Sequence, residues 1–321
     1  MEHIFITGAG GFLGQDLIRR LQSEDRYRLS ASVRNAETNV AAGVVTHFTG
    51  AMDTQTSWAA ALTGVDVVVH CAARVHIMAD KSEDPLQAFR DVNVGATLHL
   101  ARQAAAAGVR RFVFISSIKV NGEESQVGRP YTPDDGPKPI DAYGLSKWEA
   151  EKELLRLAEE LEMDIVIIRP VLIYGPGVKA NVQNMMRFLR KGIPLPLGAI
   201  HNKRSFVALD NVTDLIVTCL DHPAASNQVF LVSDDEDLST TDLLRKMARA
   251  LHTPARLVPV PSWLLKGTAK LLGMSGFSQR LCGTLQVDIS KTRSLLGWAP
   301  RIGVDQALDA TARHFLDQNK R

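Results

Sequence analysis

Tyr143 and Lys147 stand four residues apart in Tyr143-Gly-Leu-Ser-Lys147, a spacing that puts both side chains on one face of a helix. A phenol beside an ammonium is an acid/base pair, because the cation favours phenolate and draws the phenol below its ordinary value of about 10. Such a pair can take a proton from a hydroxyl and return it while hydride leaves or reaches the carbon beneath. Ser117, at the end of the apolar run Phe112–Ser116, can hold the same oxygen. Ser117, Tyr143 and Lys147 are therefore the candidate catalytic residues. A Tyr-x-x-x-Lys spacing alone is a weak signal, and its surroundings give it meaning.

Those surroundings begin with Thr7-Gly8-Ala9-Gly10-Gly11-Phe12-Leu13-Gly14, three glycines at spacing three and three between a strand and an amphipathic helix. Glycines there let backbone approach a pyrophosphate and pack helix on strand, while the helix N-terminus offers partial positive charge to phosphate. A dinucleotide site is expected at Gly8, Gly11 and Gly14. A nicotinamide would supply the second positive charge that Tyr143 needs, since lowering a phenol from ~10 to ~7 takes about 4 kcal/mol. Lys147 would also reach the nicotinamide ribose. At the ribose end the second strand finishes Ser32-Val33-Arg34, with no acid before Glu37. Arg34 can pair with a 2′-phosphate that an Asp would repel, so NADP(H) is preferred and NAD(H) remains possible.

Strand–helix alternation must position these residues. Strands are expected at Ile4–Thr7, Leu29–Val33, Val44–Phe48, Val65–His70, Phe112–Ser116 and Asp164–Arg169. Helices are expected at Phe12–Ser23, Thr54–Leu62, Pro85–Ala107 and Ala142–Leu161. This order implies an α/β fold, a Rossmann-type doubly wound parallel sheet, with the glycine turn and Ser117 on the same carboxyl-end rim. Residues 1–174 form the nucleotide-binding domain, to which a strand at Gln228–Val232 returns. Residues 175–321 form mainly a smaller C-terminal substrate-binding lobe, with the substrate in the cleft between them. Arg204 and Arg280 lie in that lobe and could grip a diphosphate bidentately. Asn93, within a long apolar helix, is expected to be structural.

Composition narrows the class. Over 321 residues, 37 Lys plus Arg against 35 Asp plus Glu leave +2, too balanced to imply a nucleic-acid partner. The 3 cysteines, Cys71, Cys219 and Cys282, are far apart in apolar surroundings, which fits reduced thiols in the cytoplasm. The chain enters its first strand at once, without a charged-then-apolar leader, and no apolar run reaches the ~18 residues that span a bilayer. Membrane insertion is not expected, and Trp263-Leu264-Leu265 with Leu271-Leu272 suits a packing helix or dimer face. His70 and His76 lack partners at ligand spacing, so no metal is expected.

Taken together, the chain resembles the extended short-chain dehydrogenase/reductases of the nucleotide-sugar epimerase/dehydratase group. The resemblance rests on the glycine turn, His70-Cys-Ala-Ala73, Asn93, Ser117, Tyr143-x-x-x-Lys147, Arg169-Pro170 and Tyr174-Gly-Pro-Gly177. Arg204-Ser-Phe-Val207 with Asp210, and Gly297-Trp298-x-Pro300, extend it over nearly the whole chain. It implies that Phe12 and Leu13 line the pyrophosphate, that Ala72, Ala73 and Pro170 lie on the cofactor side, and that Asn181 and Arg204 meet the diphosphate of a UDP-sugar. It also implies a homodimer through a four-helix face. Two departures matter. Gly50-Ala51-Met52 lacks the adenine-binding Asp, and Ser117-Ile118-Lys119-Val120 lacks the Asp-Glu pair with which 4,6-dehydratases eliminate water.

The segments Ile115–Glu123, Tyr143–Glu151 and Leu285–Arg293 further resemble bacterial UDP-N-acetylquinovosamine dehydrogenases, 4-keto reductases of O-antigen sugar supply. This implies reduction of a UDP-4-keto-6-deoxy-N-acetylhexosamine, with a separate dehydratase making the substrate. A UDP-hexose 4-epimerase would use the same triad. An epimerase gains from holding NAD tightly, whereas a reductase must exchange its cofactor, which Arg34 and Ala51 fit. A non-catalytic NADP(H) sensor is the third class, and the intact Ser-Tyr-Lys set speaks against it.

Overall fold

The computed structural model describes residues 1–75, 84–271, 279 and 281–319. Its centre is a parallel sheet of 7 strands in the order β3-β2-β1-β4-β5-β6-β9. The strands are β1 (Glu2–Thr7), β2 (Tyr27–Val33), β3 (Val45–Phe48), β4 (Val67–His70), β5 (Arg111–Ile115), β6 (Asp164–Pro170) and β9 (Gln228–Val232). Short apolar runs such as Val67-Val-Val69 and Phe112-Val-Phe114 are buried throughout, as central strands covered on both faces require. A second, two-stranded sheet joins β7 (Leu172–Tyr174) to β8 (Phe206–Ala208).

Helices close both faces. On one, α1 (Phe12–Gln22) and α7 (Leu209–Asp221) pack Leu17, Ile18, Leu21, Leu215 and Ile216 against Ile4, Ile6 and Val69. On the other, α2 (Ala59–Leu62), α4 (Thr97–Ala106) and α5 (Ala142–Glu160) press Leu62, Leu100, Ala101 and Leu154 against Phe5, Val68 and Phe114. A third apolar cluster joins α6 (Ala180–Arg190), α8 (Thr240–Ala250) and the helix Val304–Gln318 around Met186, Leu244, Leu308 and Phe315. After β8 the chain thus returns to the main sheet through α7 and β9 before α8 leaves it again.

Beyond shifts of one or two residues at strand and helix ends, three differences from the sequence expectation bear on the site. Instead of starting at Thr54, α2 starts at Ala59, because the Asp53 carboxylate accepts from Gln55 N (2.9 Å) and Thr56 Oγ1 (3.0 Å). That local turn competes with the first helical turn. The single helix expected over Pro85–Ala107 is α3 (Pro85–Arg90), a π-helical stretch Asp91–Ala96, and α4. The wider turn holds Asn93, buried, at its middle. Finally, β5 stops at Ile115, which frees Ser116 and Ser117 to turn off the rim.

Candidate active site

The strand order reverses between β1 and β4, and the loops after those strands meet there. Gly8 adopts φ +72°, and a Cβ on it would lie 2.7 Å from Ala72 N. A Cβ on Gly14 would drive into Gly8 O. Both glycines are thus demanded by close approach of backbone, one with the β4 loop and one between α1 and β1. The Gly11 N-cap of α1 offers no side-chain hydrogen bond and its first turn has no acid, so the helix amides face the rim without an internal anion. This is a cradle for a phosphate group at the crevice where open α/β sheets bind ligands, and a dinucleotide fits it. Phe12 and Leu13 open α1 half-buried, Ala72 and Ala73 are half-buried in the opposing loop, and Pro170 is buried at the end of β6. Arg34 lies exposed just past β2.

Beneath the crevice a hydrogen-bonded chain ties the two loops together. Thr7 Oγ1 is hydrogen-bonded to His70 Nδ1 (2.7 Å) and accepts from Ala72 N (3.2 Å), while His70 Nε2 meets Thr97 Oγ1 (3.0 Å). Burial, and then the charge of Lys147, push His70 down to about 3, so it is a neutral strut. His76 lies outside the described residues, among which no three His, Cys, Asp or Glu side chains cluster as metal ligands would.

Ser117, Tyr143 and Lys147 come together where the β5 loop meets the start of α5. Asp141 caps α5 by accepting from Gly144 N (2.7 Å), which fixes the first turn that carries Tyr143. The Ser117 hydroxyl, which accepts from Lys119 N (3.2 Å), lies on the same side as the Tyr143 phenol and eases its ionisation, and Phe89 packs edge-on to the Tyr143 ring at 6.1 Å. Lys147 is 2% exposed, and its Nζ donates to Ile115 O (2.7 Å) and lies 4.3 Å above the Phe114 ring. Burial lowers it to about 7, against the opposing pull of Glu151.

The expected drop in the Tyr143 phenol is not what this geometry produces. Loss of hydration pushes it up to about 12, Asp141 adds to the rise, and the Ser117 hydroxyl opposes it. The ammonium of Lys147 is turned to the Ile115 carbonyl, so desolvation of the phenolate dominates.

Sequence reasoning missed what holds this helix. Glu151, one turn beyond Lys147, is buried and receives the Arg169 guanidinium through Nη2 (2.6 Å) and Nε (3.0 Å), and Ser116 Oγ also donates to it. Arg169 Nη1 donates to Asn121 Oδ1 (3.0 Å) and Pro133 O (3.3 Å), which fastens the loop after Ser117 to β6. The available signal was the i, i+4, i+8 row Tyr143, Lys147, Glu151. Asn93 has the structural role expected: Oδ1 accepts from Arg74 N (2.8 Å), and Nδ2 donates to Arg74 O and to Ser146 Oγ (both 3.0 Å). It pins the β4 loop to α5. Lys119 pairs with Asp141 and, at 3.0 Å, with Glu123, which ties the loop after Ser117 to the start of α5.

The residues expected at the far end of the substrate are less gathered. Arg204 is half-buried in a segment whose backbone pairs with Leu238, and its guanidinium donates to Gly283 O (3.1 Å). Burial pushes it down, while the charges of Glu124 and Glu123 draw it back up. Asn181 is exposed at the start of α6, and Arg280 lies outside the described residues. Among the described residues no hydrogen bond links Asn181 or Arg204 to the Ser117–Tyr143–Lys147 group.

A family model, "NAD dependent epimerase/dehydratase family", matches residues 4–233, which covers the sheet, the cradle and the triad. The chain belongs to that family. Its sequence is 49% identical to a UDP-glucose 4-epimerase of Vibrio cholerae over 321 residues, 100% of this chain and 97% of the relative. A UDP-glucuronic acid 4-epimerase of Bacillus cereus, solved with NAD, superposes with a TM-score of 0.79 at 20% identity, covering 99% and 98% of the two chains. The RMD protein of Pseudomonas aeruginosa, solved with NADPH, superposes at 0.73 with 19% identity, covering 98% and 99%. At such identity the likeness is one of fold, and the two cofactors in those structures show that this epimerase/dehydratase fold does not itself choose between them. As a member of the family the chain is an NAD(P)-dependent nucleotide-sugar enzyme.

Proposed function

We propose that this protein is a UDP-hexose or UDP-N-acetylhexosamine 4-epimerase. The observation that carries this reading is the 49% identity, over the full chain, to a protein named UDP-glucose 4-epimerase. The balance of the sequence reading, which favoured a 4-keto reductase, shifts accordingly. When bound, a nicotinamide dinucleotide supplies the acceptor and donor of hydride at C4. Tyr143 takes the proton of the C4 hydroxyl and returns it once the 4-keto sugar has presented its other face. Ser117, at the end of the β5 loop beside the phenol, holds the same oxygen. Lys147, buried beside this group and held by Ile115 O, reaches the nicotinamide ribose, and the positive charge of the bound nicotinamide favours the phenolate. Because oxidation and reduction cancel over the cycle, no cofactor is consumed.

On this reading Gly8, Gly11, Phe12, Leu13, Gly14, Ala72, Ala73 and Pro170 hold the dinucleotide, and Asn181, Arg204 and Arg280 hold the UDP diphosphate. Residues 1–174 and 175–321 act as nucleotide and substrate lobes of a cytoplasmic homodimer. The second reading is reduction of a UDP-4-keto-6-deoxy-N-acetylhexosamine for surface-polysaccharide sugar supply. It is favoured by exposed Arg34 at the ribose end and by Ala51 in place of an Asp, both suited to an exchangeable NADP(H).

One pair of assays separates the two. Purified protein is mixed with UDP-glucose, UDP-galactose or their N-acetyl forms without added cofactor, and the sugars are resolved by NMR. Interconversion is expected. Failure to interconvert, with stoichiometric loss of reduced-nicotinamide absorbance on UDP-4-keto-6-deoxy-N-acetylglucosamine, would replace the epimerase with the reductase.

A further inference from the structure

Helix α9 (Ser262–Leu271) lies on the surface with its apolar side chains pointing outward. None of its residues is fully buried, and Trp263 is 72% and Leu271 88% exposed, with Leu264 at 43%. The half-buried positions are Ser262, Leu265 and Ala269, so the side turned toward the protein carries only one large apolar group. Trp263, Leu264, Gly267, Lys270 and Leu271 share the outer side, and Lys266 flanks it. A helix that served only to pack would turn these faces the other way.

The segment that carries it is basic. From Asp242 to Asp288 the sequence contains no acid, while Arg256, Lys266 and Lys270 fall within it. Neither Lys266 nor Lys270 forms an ion pair among the described residues, unlike Lys246, which is bound by Glu236 and Asp305. The approach to α9 is fixed to the body: Leu195 N donates to Arg256 O (2.9 Å) and Val258 N to Leu195 O (2.8 Å). The helix is therefore presented on a firm base.

We propose that α9 docks this protein on an anionic bilayer surface, lying in the headgroup plane without crossing it. Trp263, Leu264 and Leu271 enter the boundary between headgroups and acyl chains, where indole is favoured, and Lys266 and Lys270 extend to lipid phosphates. A second copy of this chain is the poorer occupant, because two α9 helices packed about a two-fold axis would bring their acid-free lysine flanks together. The inference does not depend on which reaction the active site performs.

The test uses the intact protein and sedimentable vesicles, either phosphatidylglycerol with phosphatidylethanolamine or phosphatidylcholine alone. We expect co-sedimentation with the first and not the second, weakened by added salt. Trp58 and Trp298 are buried and Trp148 half-buried, so a blue shift of tryptophan emission on binding should vanish in Trp263→Phe. The double substitution Lys266→Gln/Lys270→Gln should lower vesicle affinity about thirtyfold, with an unchanged thermal midpoint. Equal binding to both vesicle types, no binding to the anionic ones, or affinity indifferent to both the lysines and salt would overturn the proposal. So would a concentration-dependent dimer that Trp263→Glu splits and anionic vesicles leave intact.

Discussion

The two ends of the dinucleotide crevice are built in opposite ways. At the reaction end the supporting polar side chains are buried and hydrogen-bonded: Lys147 to Ile115 O, Glu151 to Arg169 and Ser116, Asn93 to Arg74 and Ser146. At the ribose end Arg34 projects from the rim, exposed, after a strand whose neighbour β3 is short and lies at the sheet edge. A proton relay needs atoms held to fractions of an ångström, and only interlocked buried groups hold them so. On the proposed reading a choice between two riboses differing by one phosphate would need only a charge at the right place, which a solvated Arg34 would supply without a network.

That contrast can be broken first at Tyr143. Tyr143→Phe removes the only proton the phenol can exchange and should cost 10²–10⁴-fold in turnover. Binding of the dinucleotide, followed by fluorescence quenching, should change little. A protein that merely senses the cofactor would show no change in output.

A second substitution asks whether the network is as interlocked as its geometry implies. Glu151→Ala leaves the Arg169 guanidinium buried without its carboxylate and should destabilise the fold by about 3–5 kcal/mol in denaturant unfolding. Glu151→Gln keeps the shape and removes the charge. Lys147 is held up at about 7 by that charge against burial, so its value falls further in this variant. Lys147 is cationic below that value, so the pH above which turnover is lost should move to lower pH. A purely structural Glu151 would leave the pH profile in place.

The smallest effect is expected at the ribose end. Arg34→Ala should weaken NADPH about tenfold relative to NADH, the equivalent of one charge-assisted hydrogen bond of about 1.4 kcal/mol, with no change in thermal stability. Unaltered cofactor preference would show that Arg34 is only a solvated rim residue.

How much of this was legible in the sequence depends on the range of the interaction involved. The glycine turn, the strand–helix alternation and the Tyr143/Lys147 spacing are local patterns, and each element they imply is present. Where local chemistry offered an alternative, as in the Asp53–Thr56 turn that shortens α2, the pattern misled. The π-helical turn at Asn93 was invisible because it is imposed by contacts with Arg74 and Ser146, far away in sequence.

The sequence by itself therefore determined the sheet, the glycine turn and the candidates for proton transfer, since these follow from periodicity, glycine geometry and side-chain type over a few residues. Tertiary structure alone decided their state. Burial raised Tyr143 and lowered Lys147 and His70, strand order brought the β1 and β4 loops into contact, and packing left α9 with its tryptophan outward. Desolvation and long-range contact depend on which distant segments surround a group, and no short stretch of sequence carries that information.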